Sequence, residues 1–132
     1  MSISEPGVYA TDFDVWIGEA FAERGPFTLL IVLVEIAEAK VTPLSSTFLH
    51  VIGDEVDWQT MAELLGGSGR DWDGACFFPV TAGDGLLLDS AAARIRLQDL
   101  KLRLDADRLI LNEGYFCDKW GRQIKVEEMP LQ

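Results

Sequence analysis

His50 is the single histidine of the chain, and Cys76 and Cys117 are its two cysteines. A histidine beside a thiol is the smallest set that does nucleophilic chemistry: the imidazole takes the proton and the thiolate attacks. The spacing does not bring these residues together. His50 lies between Leu49 and Val51 in a strand-like segment, and each cysteine sits among apolar neighbours. Core packing is the first reading of all three. One histidine and two distant cysteines supply at most three ligands, short of a structural zinc site. A small-molecule pocket or active site near His50, Cys76 and Cys117 therefore stands as the alternative reading.

The carboxylates offer other chemistries. Asp12-Phe13-Asp14 is similar in spacing to the aspartate pair of haloacid-dehalogenase-type phosphotransferases. There one carboxylate attacks phosphorus and the second handles the proton, with Mg²⁺ neutralising charge. Here Trp16 stands where a small residue is needed, and Pro6 and Gly7 interrupt the segment that would be the preceding strand. Capping of a helix by Thr11 or Asp12 accounts for the same residues. Asp54-Glu55-Val56-Asp57 and Asp71-Trp72-Asp73-Gly74 lack the alternate oxygen ligands and closing glutamate of a calcium loop. Gly66-Gly67-Ser68-Gly69-Arg70 follows a helical segment instead of preceding one, so its N–H groups cannot cradle phosphate as such loops do. No catalytic residue, cofactor or metal is assigned.

What remains is binding. The net charge is −11, and residues 1–90 hold fifteen acids against three bases. Such a field repels nucleic-acid phosphates and anionic lipid. A protein partner, and a basic one, is favoured; self-association stays open. Trp72 and Trp120 lie in charged loops, where tryptophan gives large contact area with few rotors to freeze. Arg70, Asp71, Trp72 and Asp73 form the expected contact loop, with Trp120 as a second anchor. Arg94, Arg96, Lys101, Arg103 and Arg108 form a basic stripe, available to an anionic ligand or to the acidic half of a second copy.

These side chains need elements to hold them. Phe13, Trp16, Ile17, Ala20 and Phe21 make one apolar stripe of a helix that Gly25-Pro26 stops. Phe27 to Val34 is apolar on both faces, as in a strand covered on both sides. Pro43 to Ser46 reads as a turn and Thr47 to Ile52 as a strand. Asp57 caps a second helix, and Ala75 to Val80 is a buried strand. Residues 89–106 suit a helix or strands. A helix puts Ala93, Leu97, Leu100 and Leu104 on one face but leaves Ile95 and Leu102 on the other. Charged–apolar alternation over 94–112 therefore favours strands, with a hairpin loop at Asp105-Ala106-Asp107. Tyr115 to Lys119 and Gln123 to Glu127 make a last pair.

The expectation is a single α+β domain over 1–132, a mostly antiparallel sheet with two helices on one face and loose ends at 1–7 and 128–132. Two lone cysteines and no leader-like N-terminus suggest a cytoplasmic protein with reduced thiols. The function expected is non-catalytic protein binding, by an accessory subunit, an assembly factor or an inhibitor of a basic partner. A structural subunit of a larger assembly is a further alternative.

Overall fold

The computed structural model describes residues 11–38, 40–53, 56–67 and 71–126. Arg70 and both expected loose ends lie outside them. The chain forms α1 (Asp12–Arg24), β1 (Phe27–Ala37), β2 (Lys40–Val51), α2 (Trp58–Gly66), β3 (Gly74–Val80), α3 (Ser90–Ala106), a 3-10 helix (Arg108–Glu113) and β4 (Tyr115–Asp118). The four strands make one sheet in the order β2-β1-β3-β4, every pair antiparallel. The α+β class is as expected. The helix count is not: α1 and α2 share one face as expected, and among the described residues α3 and the 3-10 helix cover the other.

The strand period explains why. Along β1, Phe27, Leu29, Ile31 and Leu33 face α1 and α2, packing with Phe13, Ile17, Trp58, Met61 and Leu65. Leu30, Val32 and Val34 alternate to the other face, against Leu97, Leu100, Leu104 and Leu111 from α3 and the 3-10 helix. A strand apolar on both faces needs a cover on both. The first face is the aromatic one. Phe13 is fully buried, with the rings of Phe77, Trp58 and Tyr115 at 4.9, 5.3 and 6.0 Å.

The segment 90–106 is a helix, which overturns the strand expectation. Asp89 starts it, its carboxylate accepting from the Ala92 N–H at 2.7 Å. Ala93, Leu97, Leu100 and Leu104 are its buried stripe, while Ile95 and Leu102 are left in water. Burying four residues on the sheet outweighs wetting two. Arg108 to Asn112 likewise forms no strand but lies in the 3-10 helix, capped by Asp107. The expected turn at Pro43 to Ser46 is part of β2. The β1–β2 register shifts between Leu33 and Val34, so β2 passes Leu44 as a bulge, and proline is tolerated because β2 is an edge strand.

Candidate protein-binding surface

Trp120 is the anchor that the fold leaves in solvent, 63% exposed. It projects from a turn closed by Asp118. One oxygen of that carboxylate accepts from the N–H groups of Trp120 (2.9 Å) and Arg122 (3.0 Å). The other accepts from the Arg122 guanidinium at 2.8 Å. The same guanidinium lies 5.1 Å from the Trp120 ring centre, a cation–π contact that limits where the indole can turn. Gly121 takes φ +79°, the left-handed region that favours glycine.

The turn is also fastened from below. The Gly121 carbonyl accepts from the Phe13 N–H and the Tyr115 hydroxyl, both at 3.0 Å. The Lys119 carbonyl accepts from the Trp58 indole at 3.1 Å. A side chain at Gly121 would meet the Trp58 ring and Thr11 Oγ1 at 3.0 Å, so backbone lies directly on the core. Burial pushes the Tyr115 phenol well above its ordinary pKa, and Cys117, Asp12, Asp118 and Asp14 push it the same way. It stays protonated and remains a donor to the turn.

The start of α1 completes the surface. Thr11 and Asp14 form a reciprocal capping box, with bonds of 2.8 and 3.1 Å. Asp14 also accepts from the Trp58 N–H at 2.7 Å, joining the N-termini of α1 and α2. Asp12 accepts from the Gln123 N–H at 3.1 Å. Both aspartates of the Asp12-Phe13-Asp14 pair thus serve backbone donors. Asp12, Val15, Trp16, Glu19, Tyr115 and Gln123 line a shallow groove of about 260 Å³ three residues along from Trp120. Trp16 stacks on Tyr115 inside it, centroids 4.9 Å apart and planes 20° from parallel. The groove is aromatic-floored with acidic walls.

The other expected anchor is elsewhere. Trp72 is only 8% exposed and belongs to the aromatic core, edge-on to Trp58 at 6.3 Å. Asp73 holds it there. Its N–H donates to the Val34 carbonyl at 2.9 Å, and its carboxylate accepts from the Ile36 N–H at 2.8 Å. The segment after the glycine run is therefore pinned along β1, which corrects the reading of Trp72 as an exposed loop tip. Asp71 is exposed.

The basic residues do not form one strand stripe. Arg94, Arg96, Lys101 and Arg103 are exposed on α3. At 100° per residue, Arg94 and Lys101 flank one side of its outer face and Arg96 and Arg103 the other, with Ile95 and Leu102 between. Arg103 pairs with Glu113 at 3.2 Å, both largely exposed, a contact worth little in water. Arg108 is a strap: its guanidinium donates to the carbonyls of Val41, at 2.8 Å, and Leu104.

His50, Cys76 and Cys117 do not converge. His50 is on edge strand β2, its Nδ1 3.0 Å from Thr28 Oγ1, and that oxygen also accepts from the Leu88 N–H at 3.0 Å. Cys76 faces α3 and Cys117 faces α1. Burial drives both thiols far above the ordinary cysteine pKa; the neighbouring thiol adds to this at Cys76 and Asp118 at Cys117. They are therefore protonated and poor nucleophiles near neutral pH. Native protein is expected to react with a thiol-specific chromogenic disulfide reagent far more slowly than unfolded protein, with both thiols titrating once urea is added. Rapid reaction of one thiol in the native state would contradict their burial.

Among the described residues no group of three or more His, Cys, Asp or Glu side chains is placed to hold a metal ion, and no helix is long and apolar enough to cross a membrane. Comparison with family models, with curated proteins and with solved structures found no match.

Proposed function

We propose that this chain is a non-catalytic protein-binding domain, and that its contact surface is the Trp120 turn with the adjoining acidic start of α1. The carrying observation is the contrast at Trp120: a large aromatic side chain in solvent on backbone fixed by the Asp118 carboxylate and by the core beneath Gly121. Holding an indole rigid before contact removes much of the ordering cost of binding, as in the aromatic anchors that dominate interfaces. Asp12, Glu19 and Glu23 on α1 favour a basic partner and act mainly on the association rate. The setting that fits is an accessory subunit, an assembly factor or an inhibitor of a basic protein in the cytoplasm.

The test compares baits in an extract of the source cells. The wild-type chain is expected to retain a basic protein that low salt strengthens. Trp120→Ala is expected to weaken that complex by about 2 kcal/mol, roughly thirtyfold in Kd, with an unchanged melting temperature. If Trp120→Ala retains the same protein with the same affinity, the contact surface lies elsewhere.

A further inference from the structure

Among the described residues the outer edge of β2 is unpaired, guarded at one end and open at the other. Lys40 and Pro43 stand at its start, and Arg108 ties the Val41 carbonyl. Charge and proline are the ordinary defences of an edge strand against pairing with another chain. From Ser45 to Val51 there is no proline, no acid, no lysine or arginine, and no bulge. Every second residue of such an edge turns its N–H and C=O away from β1. Ser46 and Thr47 are exposed.

The flank of this open part is apolar. A groove of about 450 Å³, lined by Leu33, Leu49, Leu64 and Leu65 beside Ser45 to Phe48, opens between β2 and the end of α2. Leu64 at its rim is 52% exposed, and Ile52 just past the strand is 65% exposed. Two of the large apolar side chains that the fold leaves wet therefore border the undefended edge.

From these features we infer that β2 is a self-association edge, taken by β2 of a second copy in antiparallel register about a two-fold axis at Phe48. The register follows from the sequence. The unbulged stretch Ser45–Val51 has Phe48 at its centre, so a two-fold there uses all of it. Ser45 then faces Val51, Ser46 faces His50, Thr47 faces Leu49, and Phe48 faces itself. No acid or permanently charged base is opposed to its like. The aromatic pair that Phe48 makes with itself on the axis is of the stabilising kind. The axis sets the two grooves beside each other and brings Leu64 and Ile52 of each copy toward the partner. The four-stranded sheets join into one of eight. This surface is on the opposite sheet edge from β4 and the Trp120 turn, so it stands or falls independently of that reading.

Sedimentation equilibrium of three forms tests it: the wild-type chain, Ser46→Lys with Thr47→Lys, and Ser46→Glu with Thr47→Glu. Both positions are exposed, so each variant is expected to melt as the wild-type monomer does. The wild type should sediment at twice the chain mass. Each variant alone, with like charges clustered across the axis, should sediment as a single copy, self-association being weakened by at least about tenfold. An equal mixture of the two variants should recover the two-copy mass, because the lysine at position 47 of one copy then lies diagonally across the axis from the glutamate at position 47 of the other, within reach of long side chains. A wild type that stays a single copy at tens of micromolar overturns the inference. So does a two-copy mass that neither variant alters, or a mixture that remains single copies.

Discussion

Trp72→Ala is expected to lower folding stability by about 3–5 kcal/mol, the range for removing a large aromatic side chain from a packed core. Trp72 is buried beside Trp58 and shares a core with Phe13, Met61, Phe77 and Tyr115. Its neighbour Asp73 fixes the backbone on β1 by two hydrogen bonds, so the site cannot collapse freely into the space left behind. A urea melt reads the loss as a lower midpoint at unchanged slope. Trp120→Ala is the paired control. That indole is mostly in water, and its removal is expected to shift stability by less than about 0.5 kcal/mol. Equal destabilisation by the two substitutions would contradict the assignment of one tryptophan to the core and the other to the surface.

Gly114→Ala is expected to cost about 3 kcal/mol, near the upper end of the range for overpacking. Gly114 follows the 3-10 helix and leads into β4. An added methyl would lie 2.6 Å from the Phe77 carbonyl oxygen and 2.8 Å from the Phe78 ring. The ring can swing. The carbonyl cannot, because Phe77 is paired with Ile31 on one side and Tyr115 on the other. Relief requires β4 to move off the sheet, and the Trp120 turn moves with it. Gly18, on the exposed side of α1 with nothing within 4 Å of an added methyl, gives the opposite sign: Gly18→Ala should stabilise the helix by up to about 1 kcal/mol. Comparable thermal melts of the two variants would show that the approach of Gly114 to β3 is not close.

Much of this architecture was legible in local signals. Asp57 as a cap, Gly25 as a stop and the apolar stripe of α1 each reflect chemistry within a few residues, and each is realised. The all-apolar run Phe27 to Val34 announced a strand covered on both faces. The two helices legible in the sequence do share one face, and the strand's second face takes its cover from α3 and the 3-10 helix. Helix α3 is not legible as a helix because alternation and helical spacing coexist in it. Ile95 and Leu102 favour strands on local pattern, since a helix leaves them wet. The sheet face waiting for Leu97, Leu100 and Leu104 decides the matter. The centre of that face is built by Leu30, Val32 and Val34 of β1, more than sixty positions away and beyond the reach of local pattern.

The candidate surface divides in the same way. Glycine-rich flanks made Trp72 look free, but Asp73 pairs with β1 across more than thirty positions. Nothing in the sequence distinguishes that aspartate from a solvated one. Trp120 carried the better local signal: Asp118, four residues before Arg122 and with a glycine between, is the composition of a tight turn that holds its own tip. The groove formed by Trp16, Tyr115 and Asp12 gave no such signal, because it joins α1 to β4 across about a hundred positions.

Site-specific photocrosslinking in the source cells reports whether the Trp120 turn is the binding surface. A benzophenone amino acid is placed at Trp120 in one form of the protein and at Leu102, equally exposed on the outer face of α3, in another. A discrete adduct with a basic protein is expected from position 120, absent from position 102 and suppressed when Glu19→Gln and Glu23→Gln weaken the acidic approach. An adduct from position 102 with none from position 120 would contradict it and move the binding surface to the basic face of the molecule.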